Sequence, residues 1–303
     1  MTKDESKRRV PDHERATWHV KDPDRPPLVS VVVPARNEEL TLGTCLSSLV
    51  GQDGVSYEII VVDDGSSDRT RNIAESFSAV RVIAAGDLPA GWGGKVNACR
   101  AGANAARGEL LLFTDADTIH HPGSLARAVE EMRAAKADLL SYSPEQEVGS
   151  LVERVLMPLI FAELACAYKP KEVSDPSSPA AAANGQYLLV TRSAYDSVGG
   201  HAAFAGDLLE DVALARATKN AGYRLLFRYG GGLVRTRMYR SWPQMREGWT
   251  KNLALLFPDS GRLARRRLLE FAASVGALAV AAISAACGAY PVAGLAVLIA
   301  APT

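Results

Sequence analysis

The sequence predicts an α/β protein with a mostly parallel, doubly wound sheet and an apolar helical membrane segment near its C-terminus. Through the first half of the chain, short runs rich in Val, Ile and Leu alternate with stretches of helical periodicity. Continuous apolar runs are typical of strands that helices cover on both faces, as in parallel sheets. Polar clusters follow several runs, at the strand ends where open α/β sheets bind ligands. Residues 271–303 contain no charged side chain, which indicates a membrane segment.

Strand and helix alternate strictly in the first half of the chain, which favours a parallel sheet. The pattern predicts strands over residues 28–33, 57–62, 80–84 and 110–113. It predicts helices over residues 40–50, from about 68 to 77, and from 95 to about 108.

The second half alternates less regularly. A helix is predicted from Pro122 to about residue 136, and strands and a helix follow over residues 137–143, 185–191, 208–220 and 223–229. Residues 148–168 form an apolar helix with two interpretations: a helix of the protein core, or a helix that lies at a membrane interface. The sequence favours neither.

Three regions follow from these patterns. Residues 1–27 are a polar tail, residues 28–257 are the main folded domain, and residues 258–303 are a basic flank followed by the apolar segment. The flank carries four arginines: Arg262, Arg265, Arg266 and Arg267. By the positive-inside tendency, they predict a domain on the cytoplasmic side of the cell membrane. A buried hairpin of Ala-rich helices is the alternative for the apolar segment.

Charge and cysteine spacing argue against two functional classes. The formal net charge at pH 7 is zero, so bulk electrostatics give no reason to expect a nucleic-acid partner. The four cysteines lack CxxC spacing and therefore imply no zinc site. They are interpreted as small buried side chains of a reduced compartment.

Two aspartates, Asp115 and Asp117, follow the apolar run at residues 110–113. In an extended backbone, residues two apart point to the same side, so both carboxylates are expected to face one space. Two such anions repel unless a cation lies between them, and hard oxygen ligands favour Mg²⁺ or Mn²⁺. A solvated turn after a strand is the alternative for an isolated pair of this kind.

Four motifs in order resemble family 2 glycosyltransferases with the GT-A fold. They are Val-Ser-Val-Val-Val-Pro-Ala-Arg-Asn-Glu-Glu from Val29, Val-Val-Asp-Asp-Gly-Ser-Ser-Asp-Arg-Thr from Val61, Thr-Asp-Ala-Asp from Thr114, and Glu210-Asp211. The resemblance covers Leu28 to about Trp249. It implies inverting transfer of a sugar from a nucleoside diphosphate.

For the sugar donor, the resemblance implies a nucleoside site around the first two motifs. Pro34 ends the strand and fixes a turn that lies against the base. Arg36 is expected to contact phosphate or to have a structural role, and Glu38 to bond the ribose or the base. A carboxylate at a helix N-terminus is the alternative for Glu38. Asp64 matches the residue that accepts the uracil N3–H.

The diphosphate and its metal are expected beside the third motif. Lys95 follows a Gly-rich loop and matches the donor-site lysine of the family, with an exposed surface lysine as the alternative. Asp117 is expected to bind the metal directly, and Asp115 to contact the ribose or a metal-bound water.

The acceptor side is expected at Glu210 and Asp211. An inverting transfer needs a base for the acceptor hydroxyl, and Asp211 matches the family's base. Glu210 is expected to position the acceptor or its loop. Arg246 and Trp249 resemble part of a Gln-x-x-Arg-Trp element, although Gly248 stands where its arginine is expected. They are expected to contact the diphosphate and the sugar, or else to belong to an amphipathic helix at the membrane surface.

Together these features predict a metal-dependent enzyme that moves a sugar, expected to come from a UDP-sugar, to a lipid at the cytoplasmic membrane face. Within the family, the Gly-Trp-Gly-Gly-Lys and Met-Tyr-Arg-Ser-Trp runs resemble members of hopanoid and carotenoid pathways and ceramide glucosyltransferases. Three alternatives stay open: a polyprenyl-phosphate glycosyltransferase, a cell-surface polysaccharide synthase, and an inactive scaffold that binds sugar nucleotides.

Overall fold

A computed structural model describes residues 27–239, 241–257 and 259–291. The chain divides into two compact units, one that ends at Arg240 and one that begins at Ser241. The first unit contains all the strands of the described residues.

The strands and helices of the first unit follow the predicted order closely. The strands are β1 Val29–Ala35, β2 Tyr57–Asp63, β3 Val80–Ala84, β4 Leu110–Phe113, β5 Thr118–His120, β6 Leu139–Ser143, β7 Glu145–Gln146, β8 Leu188–Thr191, β9 Leu225–Tyr229 and β10 Val234–Thr236. The helices are α1 Leu42–Val50, α2 Thr70–Glu75, α3 Gly94–Ala105, α4 Ser124–Ala135, α5 Leu151–Ala167, α6 Pro170–Ser174, α7 Arg192–Ser197 and α8 Glu210–Asn220, with a 3-10 helix over Gly200–Phe204.

Seven strands form the central sheet, in the order β3-β2-β1-β4-β8-β6-β9. Every pairing in this sheet is parallel except those of β8, which runs antiparallel to both β4 and β6. The predicted mostly parallel sheet is therefore confirmed. A smaller sheet, β5-β10-β7, lies outside the prediction because its strands are only two or three residues long.

Two apolar clusters cover the two faces of the central sheet. On β1, Val31 and Val33 belong to one cluster, and Val32 belongs to the other. This division follows from the alternation of side chains along a strand. Helix α3 packs tightly on the second face, since a Cβ added at Gly102 would overlap the side chain of Val32. Burial on both faces explains why the strand sequences are continuously apolar.

Helix α5 is apolar yet largely exposed. Ser150 caps it by accepting a bond from the Glu153 N–H, and the Glu153 carboxylate accepts the Gly149 N–H at 2.7 Å. Glu153 and Met157 are its buried residues, while the exposed fraction of Leu151 is 78% and that of Leu159 is 64%. The interpretation of this segment as a core helix is therefore wrong.

The second unit consists of two helices in its described part, α9 Trp242–Leu256 and α10 Ser260–Ala286. Among the described residues, α10 is the helix long and apolar enough to cross a membrane, and its apolar stretch is almost wholly exposed. Its 27 residues span about 40 Å, more than the roughly 30 Å of a hydrocarbon core. Residues 292–303 of the predicted apolar segment, and the predicted tail as far as residue 26, lie outside the described residues.

Candidate active site

The carboxyl ends of β1, β2 and β4 border a cleft of about 400 Å³. Because β1 pairs in parallel with both neighbours, the polar residues that follow these strands meet at one edge. Seven residues predicted for the sugar donor and metal line this cleft: Pro34, Arg36, Glu38, Asp64, Lys95, Asp115 and Asp117. We call it the donor cleft.

Asp64 lies at one end of the donor cleft. Its backbone N–H donates to the Ala35 carbonyl at 3.0 Å, and its carboxylate lies 3.5 Å from the Arg36 guanidinium. Gly94 begins α3 directly beside this carboxylate, and an added Cβ there would lie 2.5 Å from Asp64 Oδ2. A glycine at this position therefore lets the carboxylate approach the N-terminus of α3, whose dipole favours an anion.

Glu38 lies both at the donor cleft and at the start of α1, and its contact with a ribose or base remains a prediction. Its carboxylate lines the donor cleft and also accepts the Thr41 hydroxyl at 2.6 Å. Its carbonyl accepts the Leu42 N–H, which begins α1. One oxygen of the carboxylate thus supports the helix start, as expected for an acidic residue at that position.

Asp115 and Asp117 face the cleft from a turn and not from an extended strand, since the Thr118 N–H donates to the Asp115 carbonyl at 3.1 Å. Asp115 Oδ1 lies 2.7 Å from Lys95 Nζ. Asp117 Oδ1 is buried without a hydrogen-bond partner. Burial, and then the carboxylates of Asp115 and Glu38, raise the pKa of Asp117 to about 7.

An unpartnered carboxylate oxygen beside a second carboxylate fits a divalent cation with oxygen ligands. Among the described residues there is no group of three or more His, Cys, Asp or Glu side chains that could hold a metal by themselves. A cation on Asp115 and Asp117 would therefore take its other ligands from water and from a bound ligand. Mg²⁺ commonly binds in this way, through one or two carboxylates and substrate phosphates.

Asp211 opens α8 on the other side of Lys95. Its Oδ2 accepts the Gly185 N–H at 2.7 Å, and its Oδ1 accepts the Val212 N–H at 2.8 Å. Burial, and then the neighbouring Glu210 carboxylate, raise the pKa of Asp211 to about 6, while Lys95 and the two N–H groups lower it. A carboxyl group with such a pKa is suited to general-base chemistry near neutral pH.

Lys95 joins the two groups of carboxylates. Its ammonium lies 2.7 Å from Asp115 and 3.6 Å from Glu210. Burial opposes the charged form, but these two carboxylates hold the pKa of Lys95 well above its usual range. Lys95 is exposed, as the alternative of a surface lysine expects, but its ammonium is paired with carboxylates, and its contact with a sugar donor remains a prediction.

Arg246 and Trp249 lie on α9 in the second unit, where Arg246 is exposed and Trp249 is buried. Their contacts with a sugar donor remain predictions. His201 is a core residue: it is buried, and its Nδ1 lies 2.9 Å from the Tyr195 hydroxyl.

Sequence reasoning missed Gly185, whose N–H contacts Asp211, and Thr114, which is buried just before Asp115. An Asn-Gly-Gln turn at residues 184–186 and one threonine beside an aspartate are weak signals, because their partners are distant in the sequence.

A family model described as "Glycosyl transferase family 2" matches residues 30–189, more than half of the chain. Two curated relatives are named 4,4′-diaponeurosporenoate glycosyltransferase. The one from Staphylococcus haemolyticus is 31% identical over 231 residues, which are 75% of this chain and 61% of the relative. The one from Staphylococcus aureus is 28% identical over 238 residues, 75% of this chain and 60% of the relative. The alignments thus span about three-fifths of these relatives' length.

Two solved structures are similar in fold. The mannosyltransferase PcManGT from Pyrobaculum calidifontis, in complex with GDP-Man and Mn²⁺, has a TM-score of 0.56 at 23% identity, covering 90% of this chain and 79% of its own. Glucosyl-3-phosphoglycerate synthase from Mycobacterium tuberculosis, in complex with phosphoglyceric acid, has a TM-score of 0.50 at 23% identity, covering 78% and 80%. At this identity the likeness concerns the fold alone.

Proposed function

The chain belongs to glycosyl transferase family 2 and has the GT-A fold, and from this premise we propose that it transfers a sugar from a UDP-sugar to a lipid at the cytoplasmic membrane face. The observation that carries the proposal is the position of Lys95. Its ammonium lies between Asp115, in the donor cleft, and Glu210, beside the proposed base Asp211. Asp115, proposed to bind the donor, and Glu210, proposed to position the acceptor, therefore lie beside the same ammonium group.

The donor cleft would hold the nucleoside diphosphate. Asp115 and Asp117 would hold Mg²⁺ or Mn²⁺, a cation that neutralises charge on the leaving diphosphate. The unpartnered Oδ1 of Asp117 supports this assignment, and the similar mannosyltransferase contains GDP-Man and Mn²⁺. Lys95 supplies a further positive charge.

Asp64 would recognise the base of the nucleotide. A carboxylate accepts the N3–H of uracil, whereas cytosine has no hydrogen at N3 to donate. The position of Asp64 at the N-terminus of α3, next to Gly94, supports a donor whose base and phosphates lie along this helix start. Glu38 would accept from a ribose hydroxyl, and the second oxygen of its carboxylate, beyond the bond to Thr41, supports this role.

Asp211 would act as the base. The acceptor oxygen attacks the anomeric carbon from the side opposite to the diphosphate, the bond from that carbon to the diphosphate oxygen breaks, and the hydroxyl proton passes to Asp211. Inversion follows because a single displacement occurs. The bonds from Gly185 and Val212 hold the carboxylate in one orientation, which supports a positioned base. Glu210 would position the acceptor.

Two exposed apolar helices support a lipid acceptor. α10 is long enough to cross a membrane, and α5 exposes Leu151, Val155 and Leu159. Exposed apolar surface of this kind marks sites that contact membranes or other apolar partners. The curated relatives are named for 4,4′-diaponeurosporenoate, a carotenoid-pathway compound. Residues 258–303 would form the basic flank and membrane segment.

The test is the release of nucleoside diphosphate by the purified chain in detergent. UDP-glucose, UDP-galactose, UDP-N-acetylglucosamine and GDP-mannose are compared, with and without Mn²⁺ and with and without bacterial lipid extract. We expect Mn²⁺-dependent release of UDP that increases with lipid, and its loss in Asp211→Asn. The exposed Asp53 provides a matched control, Asp53→Asn, with unchanged release.

Other outcomes would identify the alternatives. Release from GDP-mannose alone would overturn the assignment of Asp64 to uracil. Transfer to a polyprenyl phosphate in place of a neutral lipid would make the chain a polyprenyl-phosphate glycosyltransferase, and a polymeric product would make it a polysaccharide synthase. UDP binding without release from any donor would favour a scaffold.

A further inference from the structure

The turn that precedes β8, Asn184–Tyr187, connects the two halves of the site. Its Gly185 N–H donates to Asp211 Oδ2 at 2.7 Å. One residue later, the Gln186 carbonyl accepts the hydroxyl of Thr114 at 2.7 Å. Thr114 directly precedes Asp115 in the donor cleft. Two adjacent residues of one turn therefore contact the proposed base and the strand end that carries the donor carboxylates.

Thr114 is fixed from its other side by a buried histidine. His120 Nε2 lies 3.1 Å from Thr114 Oγ1, and both residues are buried. Because the single hydroxyl hydrogen goes to the Gln186 carbonyl, His120 must supply the hydrogen of its own contact. Burial lowers the pKa of His120 to about 3, so the ring is neutral and carries that hydrogen on Nε2. The direction of both hydrogen bonds is thus determined.

The turn itself is held against β6. The Asn184 N–H donates to Ser141 Oγ at 2.8 Å, and the Asn184 side-chain oxygen accepts the Gln186 N–H at 3.0 Å. The Tyr187 N–H closes the turn on the Asn184 carbonyl at 3.1 Å. Because of these bonds, a shift of Gly185 would break hydrogen bonds within the turn and between the turn and β6.

Space, and not backbone conformation, explains the glycine at position 185. Its φ lies outside the left-handed region, so an alanine could adopt the same backbone. An added Cβ, however, would lie 3.2 Å from Lys95 Nζ and 3.4 Å from Asp211 Oδ2. An alanine Cβ would thus be in ordinary contact with the Asp211 carboxylate, but the Lys95 ammonium would have to shift by a few tenths of an ångström.

We propose that Gly185 and Thr114 are positioning residues that fix the Asp211 carboxylate relative to Asp115 and the sugar donor. The proposal rests on the proposed function, in which Asp211 is the base. Thr114 anchors the turn to the donor strand through Gln186, and Gly185 orients Asp211 while leaving room for Lys95.

Gly185→Ala is the first test, with Gly43→Ala as control, because a Cβ at Gly43 meets only Ile73 at an ordinary 3.7 Å. Nucleoside diphosphate release with lipid extract is measured from pH 5 to 9. We expect kcat to fall roughly 10- to 100-fold in Gly185→Ala, as small misplacements of a catalytic group do, and UDP affinity to change much less. The acid limb of the pH profile should move upwards, because the added Cβ displaces the Lys95 ammonium, whose charge lowers the pKa of Asp211.

Thr114→Val is the second test. It removes the bond to Gln186, and Thr114→Ser retains the hydroxyl. Thr218→Val is the matched control, since Thr218 is equally buried and its hydroxyl donates to the Leu214 carbonyl at 2.8 Å. We expect kcat to fall in Thr114→Val, to recover in Thr114→Ser, and to remain unchanged in Thr218→Val. A merely structural role of Thr114 would lower the melting temperature but leave kcat and the pH profile of the folded enzyme unchanged.

A measurement without turnover completes the test. The difference in unfolding free energy between each protein and its Asp211→Asn partner is followed against pH, which reports the titration of Asp211. We expect the midpoint to be higher in the Gly185→Ala background. Unchanged kcat, pH limb and midpoint in Gly185→Ala would overturn the proposal while Asp211→Asn remained inactive. Full activity of Asp211→Asn would instead overturn the assignment of the base.

Discussion

The buried carboxylates at the two ends of the central sheet differ in how far the fold itself satisfies their hydrogen bonds and charge. At the amino end, Glu58 on β2 accepts the Ser30 hydroxyl at 2.7 Å and the Arg107 N–H at 2.8 Å. The guanidinium groups of Arg81 and Arg107 lie 3.4 Å from its other oxygen. At the carboxyl end, Asp117 has a buried oxygen without a partner, and the pKa values of Asp117 and Asp211 are raised.

The difference teaches how to separate stability from function among buried acidic residues. A carboxylate whose hydrogen-bonding capacity is filled by its own fold contributes to the folded state. A buried carboxylate that lies beside other negative charges, and whose own charge the fold does not neutralise, is suited to bind a cation, a proton or a substrate. Four substitutions or conditions test this comparison.

The largest effect is expected for Asp211→Asn. Loss of a positioned base lowers kcat by about 10²- to 10⁴-fold. The folded-state pKa of about 6 lies above the unfolded value, so Asp211 destabilises the fold as pH rises from the unfolded pKa to about 6, and this loss is complete at higher pH. The substitution should therefore not lower the melting temperature at pH 8. Initial rates and thermal unfolding of the same sample measure both.

Asp117→Asn should have the next largest effect on activity. Removal of a carboxylate from the proposed metal site weakens cation binding by about 10- to 100-fold or more. Titration of activity with Mn²⁺ measures the change, with Asp53→Asn as the control. The fold should tolerate the substitution, because it removes a negative charge that burial and the neighbouring carboxylates of Asp115 and Glu38 disfavour. An unchanged Mn²⁺ dependence would contradict the metal assignment.

Glu58→Gln should show the reverse pattern. It leaves the Ser30 hydroxyl, the Arg107 N–H and two guanidinium groups with a neutral partner, which costs about 1–3 kcal/mol of unfolding free energy. Chemical denaturation in detergent measures the loss. At a temperature where the variant is folded, kcat should match the wild type. A loss of kcat without a loss of stability would contradict the assignment of a structural role to the amino end of the sheet and a functional role to its carboxyl end.

The smallest effect is that of pH on the wild type. The base must be deprotonated, so kcat is at its plateau above the Asp211 pKa of about 6 and decreases below it. The decrease approaches about tenfold for each further pH unit. Initial rates at saturating donor between pH 5 and 8 test this. A rate that stays constant down to pH 5 would show that burial and Glu210 do not raise the pKa of Asp211 during turnover.

The sequence predicts the donor cleft well because its residues follow the strands directly. Once alternation predicted a parallel sheet, the residues after β1, β2 and β4 had to meet at one edge, and Asp64, Asp115 and Asp117 do so. The roles of these residues remain proposals. The direction of β8 was not predictable, because an apolar run alone does not indicate whether a strand lies parallel or antiparallel to its neighbours.

The missed features depend on contacts between distant segments. Lys95 and Glu210 are far apart in the sequence, and no local pattern indicates that their side chains approach. The exposure of α5 was undetermined for a different reason. Its apolar composition suits a protein core and a membrane interface equally, and only the packing around Leu151 and Leu159 distinguishes them.

Lys95 is surrounded by more negative charge than it can balance. Asp115, Asp117, Glu210 and Asp211 lie around one ammonium group, and a diphosphate would add further negative charge. A divalent cation and the sugar nucleotide would therefore bind as linked ligands, each increasing the affinity of the other by the same factor. With such linkage, the free concentration of the cation would set the apparent affinity for the sugar nucleotide, and the sugar nucleotide would in turn retain the cation.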